Sequence, residues 1–439
     1  MLKDVPEGWR RVRLGDECDV LLGATPPRKQ DEYWDTEFET ENQWVSIADL
    51  TALSGSRIYE TSERISDLGI ENSSVKLIEP GVPIMSFKLT IGEMAIAGTH
   101  LYPHEAIAGF RPKNEDLERE YLYYALPDAA KTVQAHQAVK GATLNKGKLE
   151  SMRLLAPPLP EQKKIAAILA SVDEAIEATE AVIEQTRRVK KGLLEELLTQ
   201  GIGHTSFKET KIGEIPEAWE VVKVRDLITS IDSGWSPKCE GREAPIGTWG
   251  VLKTSAVTWD GYDESEQKML PSVLEPRPRA EVKEEDVLIT RAGPQDRVGV
   301  VAYVNATRSK LMLSDKLIRL RADTEKIEPD FLSLALSSTP IQYRWQGICS
   351  GLASSQTNIS QKTIQNTGIM VPPLSEQQEI ASMIGSFSQK IREATKPLMA
   401  LKHIKKGLLQ DLLTGEVRVD IEEAEEAVEK AKESAEAMA

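Results

Sequence analysis

Apolar residues between Pro157 and Ile202 recur at alternating steps of three and four. Set in heptads from Ile165, the a positions are Ile165, Val172, Thr179, Thr186 and Leu193, and the d positions are Leu169, Ile176, Ile183, Lys190 and Leu197. A second stretch, 215 positions later, keeps the register, with Ile380, Phe387, Ala394, Leu401 and Leu408 at a and Ile384, Ile391, Leu398, Lys405 and Leu412 at d. Two apolar positions in seven, held over five heptads, predict the narrow seam of a coiled coil rather than the broad face of a core helix. The pairs Pro157-Pro158 and Pro372-Pro373, together with Ser375, stand where each helix should start. Pro397 falls inside the second helix, where proline costs roughly 3 kcal/mol, so a kink is expected there. Lys190 and Lys405 interrupt the seam at d, each two residues before a glycine, Gly192 or Gly407. Those positions read as places where the helices end or flare, and where the glycines let a partner or the adjoining domain come close.

The recurrence is literal as well as periodic. PPLPEQKKIAAIL opens the first stretch and PPLSEQQEIASMI the second, with seven identities in thirteen; KKGLLEELLTQGI and KKGLLQDLLTGEV close them with eight. One offset without a gap marks a duplicated architectural unit. Compact domains usually keep their two ends close together. The second helix should therefore start near the end of the first and run back antiparallel to it, placing a domain at each end of a rod.

Outside these stretches the periodic segments are short. Val12, Leu14 and residues 20–22 predict a strand and a short helix, followed by a Gly-Ala-Thr-Pro turn. Residues 43–50 read as a strand start, 75–85 as a Pro-Gly turn before a strand, and 117–125 as a short helix. Mixed short strands and helices predict an α+β fold class. The second domain opens as the first does: VPEGWRRVRLGDE from Val5 is answered at offset 210 by IPEAWEVVKVRDL from Ile215, pairing Trp9 with Trp219 and Asp16 with Asp226. Gly23-Ala24-Thr25-Pro26 is answered by Gly234-Trp235-Ser236-Pro237 at offset 211, and Trp44-Val45 more loosely by Trp249-Gly250-Val251. Between these landmarks the interiors diverge. The chain divides into two similar globular domains, 1–155 and 204–371, two spacer helices, 156–203 and 372–416, and an acidic tail, 417–439, arranged as a pseudo-two-fold repeat. A duplicated protein that keeps its scaffold and varies two interiors is suited to reading two different things.

Composition narrows the class. Charged residues at 28% and hydrophobic residues at 40% are ordinary for a soluble globular protein. No run of 18 apolar residues is present, so no membrane association is expected, and the first residues lack the apolar core of a signal peptide. Cys18, Cys239 and Cys349 lie far apart in no metal-binding spacing, which fits a reduced, cytoplasmic protein. The net charge of −15 argues mildly against nucleic acid as a partner. Part of it is local, because residues 416–439 hold nine Asp/Glu against three Lys/Arg; this tail reads as a solvated helix or a free end.

No catalytic constellation emerges. There is no G-x-G-x-x-G and no P-loop. Ala156-Pro157-Pro158-Leu159 lacks the amide or carboxylate and the aromatic residue that a base-flipping methyltransferase loop needs, and its echo at Val371-Pro372-Pro373-Leu374 marks it as helix punctuation. Asp128 with Glu161-Gln162-Lys163 fits a metal nuclease only loosely, since the echo Glu376-Gln377-Gln378 has no lysine. His100 and His104 are separated by Pro103, which argues against a shared helical face and for a surface loop. No metal site is expected. The remaining chemistry is cationic and polar loops: Thr25, Arg28 and Lys29 around the first turn, Ser236 and Lys238 around the second, Lys88 after one strand, and Arg291 and Arg297 after its counterpart. Such residues suit phosphate positioning and reading of guanine edges, although each alone is better read as a solvated surface residue.

These motifs together resemble the specificity subunits of type I restriction-modification systems. The resemblance is carried by Pro157-Pro158-Leu159-Pro160-Glu161-Gln162 with Ile165, by Pro372-Pro373-Leu374-Ser375-Glu376-Gln377 with Ile380, by Lys191-Gly192-Leu193-Leu194 and Lys406-Gly407-Leu408-Leu409, by Gly23-x-Thr25-Pro26, and by Asp286-Val287-Leu288-Ile289-Thr290-Arg291-x-Gly293. It covers nearly the whole chain except the acidic tail. It implies two target recognition domains, each reading half of a bipartite double-stranded DNA site, held apart by two antiparallel helices. It also implies docking of two methyltransferase subunits and of restriction subunits, with S-adenosylmethionine, ATP and Mg used by those partners and no cofactor or catalytic residue in this chain. The sequence departs from the family pattern at residues 81–88, GVPIMSFK, and at Ser236, where threonine is usual. DNA binding needs local rather than total positive charge, and with partners supplying much of the basic clamp this subunit alone should bind weakly. The competing reading is a degenerate scaffold that binds partner subunits without reading DNA; an enzyme is the third.

Overall fold

The structure, a computed structural model, describes residues 5–88, 90–135, 144–348, 350–351 and 357–419. The acidic segment from 420 onward lies outside the described residues. Two long helices, Leu159–Gln200 and Leu374–Thr414, run through the chain. The chain forms two compact units, one built from residues 1–181 and 397–439 and the other from 182–396. Each unit therefore contains one globular part and a portion of each helix.

In the first unit a five-stranded sheet has the order Cys18–Leu22, Ile107–Pro112, Pro83–Ser86, Met94–Ala97, Arg57–Ile58. Its first three pairings are antiparallel and the last is parallel. A smaller sheet centres on Gln43–Val45, antiparallel to Glu63–Arg64 and parallel to Leu101–Pro103. The strand read over 43–50 is shorter than expected because Ser46 and Asp49 form a capping box that starts a helix, Ile47–Ala52. The predicted strand and short helix appear as Arg10–Arg13 and Leu14–Glu17. The predicted helix near 117–125 is longer than its pattern suggested, spanning Arg119–Ala135.

The second unit repeats this topology without the parallel edge strand. Its main sheet has the order Ile228–Ser233, Leu317–Ala322, Val287–Thr290, Val301–Tyr303, and its smaller sheet places Gly250–Leu252 between Gln267–Met269 and Leu311–Met312. The interiors that diverge in sequence are thus one architecture. Register corrects one sequence pairing: Gln43 faces Leu101 as Gly250 faces Leu311, so the counterpart of Trp44 is Val251 rather than Trp249. A further repeat hides in the helices that follow the main sheets. Leu117 to Leu126, LEREYLYYAL, is answered at offset 210 by Ile327 to Leu336, IEPDFLSLAL.

The apolar d positions are all buried, whereas at a only Ile165 and Ile380 are. Ile165, Leu169, Ile176, Ile183, Leu197, Ile380, Ile384, Ile391, Leu398 and Leu412 are buried, while Val172, Leu193, Phe387, Leu401 and Leu408 are half-buried. Within the first unit Asp173 pairs with Lys405, and Glu180 with Lys402 at 2.6 Å, so numbering rises along one helix as it falls along the other and the two segments are antiparallel. Within the second unit Leu193 and Leu197 share a core with Ile380 and Ile384. The helices neither end nor flare at Lys190 and Lys405. Lys405 is neutralised by Asp173, and Lys190 lies in the field of Asp260 and Asp330. A Cβ at Gly192 or Gly407 would meet nothing within 4 Å, so neither glycine marks a close approach of the adjoining domain. The second helix continues through Pro397. Ser375 is its second residue and caps nothing; each helix begins directly after its proline pair.

The duplicated Glu-Gln at each helix start closes its unit. Trp9 Nε1 donates to Glu161 at 3.1 Å, and the Arg418 guanidinium holds both oxygens of the same carboxylate at 2.8 and 2.9 Å. Trp219 Nε1 donates to Glu376 at 3.0 Å, with His204 Nε2 at 2.9 Å in place of the arginine and the Ile202 amide also donating at 2.9 Å. The neighbouring amides play one role twice. Gln162 accepts from the Glu118 amide and donates to the carbonyls of Asp116 and Pro157; Gln377 accepts from Glu328 and donates to Lys326 and Pro372. Beside each clamp a two-stranded ribbon joins the domain's beginning to its end, Arg10–Arg13 with Arg153–Ala156 and Glu220–Lys223 with Gly368–Val371.

Removing the carboxylate leaves a buried indole N–H without an acceptor and an arginine or histidine without its partner. Glu161→Ala and Glu376→Ala should each lower unfolding stability by about 2–3 kcal/mol, the scale for hydrogen bonds to a charged group. Urea denaturation followed by tryptophan fluorescence measures this, and a loss below about 0.5 kcal/mol would mean the clamp is incidental.

Candidate nucleic-acid interface

The Gly-x-Thr/Ser-Pro turns are places where one backbone docks on another. The Gly23 amide donates to Ile107 and the Ala24 amide to Pro103, both at 2.9 Å. The Gly234 and Trp235 amides donate to Ser314 and Leu313 at 3.2 and 3.0 Å. A Cβ would lie 2.1 Å from the Pro103 carbonyl oxygen at Gly23 and 1.9 Å from that of Leu313 at Gly234, which only glycine avoids. Each turn is thereby fixed against the loop that follows the parallel strand of the small sheet. Thr25 Oγ1 is buried with no hydrogen-bond partner among the described residues. Ser236 Oγ bonds the Asp315 carboxylate and accepts from the Asp315 amide at 3.2 Å.

The cations after the turns differ in availability. The Arg28 guanidinium stacks on Trp34 at 3.8 Å and lies 4.7 Å from the Trp44 ring, while both its terminal nitrogens bond Glu63. It is held in place by a stack and a bidentate pair, a geometry lysine could not reproduce. Lys29 and Lys238 are exposed and make no ion pair among the described residues. In the second unit a different residue, Arg277, stacks on Trp235 at 4.1 Å.

The loops after the third strand of each main sheet are anchored alike. The Ser86 hydroxyl bonds the Thr90 carbonyl and accepts from the Glu93 amide, and the Thr290 hydroxyl bonds the Arg297 carbonyl and accepts from the Val300 amide. The Phe87 amide donates to Ala106 as the Arg291 amide does to Lys316. Arg291 is thus the counterpart of Phe87, and Lys88 stands one residue further on. Lys88 is half-buried with its ammonium 5.3 Å from the Phe87 ring. Arg297 faces inward and donates to the carbonyls of Thr254 at 3.4 Å and Val257 at 3.2 Å, so it holds a loop.

In the first unit these elements converge on His104. Its ring packs against Trp44 at 5.3 Å and its Nδ1 accepts from the Ala106 amide. Burial pushes the imidazole below its ordinary pKa; Glu105 opposes that shift, while Arg28 and Lys88 add to it. Arg28, Lys88, His104 and Glu105 therefore act on one another as a mixed-charge cluster. In the second unit Ser236, Asp315, Lys316 and Arg291 are brought together by their backbone bonds. Sequence reading weighed His104 only with His100 and set both in a surface loop, and it missed Lys316, Asp315 and both arginine–tryptophan stacks. Trp34 and Trp44 beside a cationic turn were the available signal for the first stack. The loose nuclease pattern is dissolved by geometry, since Asp128 pairs with Lys131 at 2.9 Å and Glu161 belongs to the clamp. Among the described residues no three His, Cys, Asp or Glu side chains gather as a metal site, and no helix is long and apolar enough to cross a membrane.

Residues 6–186 and 216–399 match the type I restriction modification DNA specificity domain, once in each half. The chain belongs to this family. It is 27% identical over 428 residues to the MjaVIII type I restriction enzyme specificity subunit of Methanocaldococcus jannaschii, over 94% of each chain. It is 42% identical over 175 residues to the EcoEI specificity subunit of Escherichia coli, which covers 40% of this chain and 30% of that one. In fold it is similar to the S subunit of a type I restriction-modification system from M. genitalium, with a TM-score of 0.58 at 15% identity, over 93% of this chain and 96% of that one.

Within this family frame the candidate cations sort by what they touch. Arg297→Ala should lower stability by about 1–2 kcal/mol through the carbonyls it leaves unpaired. Lys29→Ala and Lys238→Ala should stay within about 0.5 kcal/mol of the parent. Thermal melts of the three variants check this ordering, and a reversal would mean that the exposed lysines are the structural ones.

Proposed function

We propose that this chain is the DNA-reading specificity subunit of a type I restriction-modification complex, and that each unit reads one half of a bipartite site. The observation that carries the reading is the pairing of constancy and variation. Two units keep one topology, one glutamate clamp and one set of turns, yet place different chemistry on corresponding loops. Arg28 stacked on Trp34, with Lys88 and His104, stands in one; Arg291, Lys316 and Lys238, with Arg277 on Trp235, stand in the other. Two intact but differently equipped units, in a family named for specificity, argue against a degenerate scaffold.

In this reading the chain carries no catalytic residue. Methyl transfer with S-adenosylmethionine and Mg- and ATP-dependent cleavage belong to methyltransferase and restriction subunits that dock on it. The exposed edge at Gly192 and Gly407, present in both copies and open to approach, is a suitable contact for two methyltransferase subunits. The two long helices act as an antiparallel coiled-coil spacer, whose buried d positions fix the register. Spacer length then sets the unread gap, and the loops set the bases, as half-site spacing does for dimeric readers.

Exchange of residues 1–155 for the equivalent part of a relative should change one half of the methylated sequence and leave the other intact. Methylation mapping of the assembled complex checks this; changes in both halves would overturn modular reading. Deletion of one heptad from each helix, 172–178 and 387–393, keeps the seam in register and shortens the spacer by about 10 Å, or about three base pairs. The variant should methylate the same half-sites at shorter spacing or lose activity for lack of fit. Full activity at the original spacing would mean that partner subunits, not the helices, position the readers.

A further inference from the structure

The two units solve one scaffold position differently. In the first, Tyr124 donates to Asp173 at 2.9 Å, Asp173 pairs with Lys405, and Tyr123 packs edge-on against Tyr124 at 4.8 Å. Carboxylate, ammonium and phenol rings form a closed set. In the second unit the repeat offsets place Lys190 where Lys405 stands, Ser388 where Asp173 stands, Gly385 where Ala170 stands, and Ser333 and Leu334 where the two tyrosines stand. The lysine is kept while the carboxylate and both rings are gone. In their place is a cavity of about 850 Å3, lined by Lys190, Ser333, Leu334, Gly385 and Ser388.

The cavity also holds charged groups that have lost their partners. Asp330 corresponds to Glu120, which pairs with Arg57 in the first unit. Among the described residues Lys190, Asp330 and Arg392 make no hydrogen bond or ion pair, though their charges act on one another. Burial pushes the Lys190 ammonium down from its ordinary pKa and holds the Asp330 carboxyl up at about 6. A desolvated ammonium without a partner is costly to keep. Apolar and aromatic walls are supplied by Trp259, Tyr262 and Tyr303, and an ion pair at the rim, Arg187 with Asp260 at 3.0 Å, fixes the loop that carries Trp259. A pocket of this size with few convergent polar groups has the composition of a small-molecule site.

We infer that the cavity binds a small aromatic anion, a phenol-sized ring bearing a carboxylate or phosphate. Lys190 and Arg392 take the charge, the ring fills the space that Tyr123 and Tyr124 occupy in the first unit, and Asp330 accepts from a ring hydroxyl. The cavity is lined by Arg297 but by none of Lys238, Arg277, Arg291 and Lys316, the groups assigned to DNA in this unit.

Isothermal titration of the full chain with 4-hydroxyphenylacetate and with phenyl phosphate tests it. Saturable binding of at least one probe is expected, and the stronger of the two identifies the anionic group. Lys190→Met should weaken that binding at least tenfold. Ser388→Asp, which supplies Lys190 with the carboxylate that Lys405 has, should raise the melting temperature and abolish binding, so the test survives if the lysine variant fails to fold. No saturable heat with either probe, or equal affinity in Lys190→Met or Ser388→Asp, would overturn the inference.

Discussion

Each half of this molecule depends on one glutamate at the start of its long helix. Glu161 and Glu376 sit in the first turn of their helices, where the helix dipole favours negative charge, and each accepts the indole N–H of a tryptophan from the start of its domain. The adjacent glutamine holds the loop before the helix that follows the main sheet, and the neighbouring ribbon pairs a strand near the domain's start with its last strand. Beginning, end and helix are thereby joined at one point. A domain secured there can vary its interior without losing its attachment, and that is the condition a modular reader has to meet.

The same logic extends along the helices. Lysine in a d position would weaken a simple apolar seam, and a buried ion is poor evidence of stability unless it is well paired. Lys405 is well paired, by Asp173 from the facing helix segment with Tyr124 completing the shell. Lys190 keeps its position without that pairing. A duplication preserved at the level of the backbone has been reworked at the level of charge, and the difference lies where two tyrosines of one copy are replaced by serine and leucine in the other.

Much of the scaffold was legible because its signals are periodic or literal. The heptads gave helix extent and which positions bury, and Pro-Pro-Leu-x-Glu-Gln marked both helix starts. The shared topology of the interiors was hidden because strands of two to six residues impose only alternating burial, which many sequences satisfy. Leu117 to Leu126 and Ile327 to Leu336 repeat the apolar positions of one helix while sharing few identities, so the eye passes over them. Lys405 misled because its carboxylate partner, Asp173, comes from distant sequence. The candidate loops were located by glycine and proline, whose backbone needs are local. Which cations are free was not legible, since Arg297 turning inward and Arg28 stacking on Trp34 are tertiary facts.

The central claim is that two units read two separated half-sites across a gap that neither contacts. Single-base mapping of methylated positions in a host carrying the unaltered complex addresses it most directly. The expected result is one motif in two parts, each with its own methylated strand position, separated by a fixed number of bases at which all four nucleotides occur freely. A single uninterrupted motif, or two parts at variable separation, would contradict it.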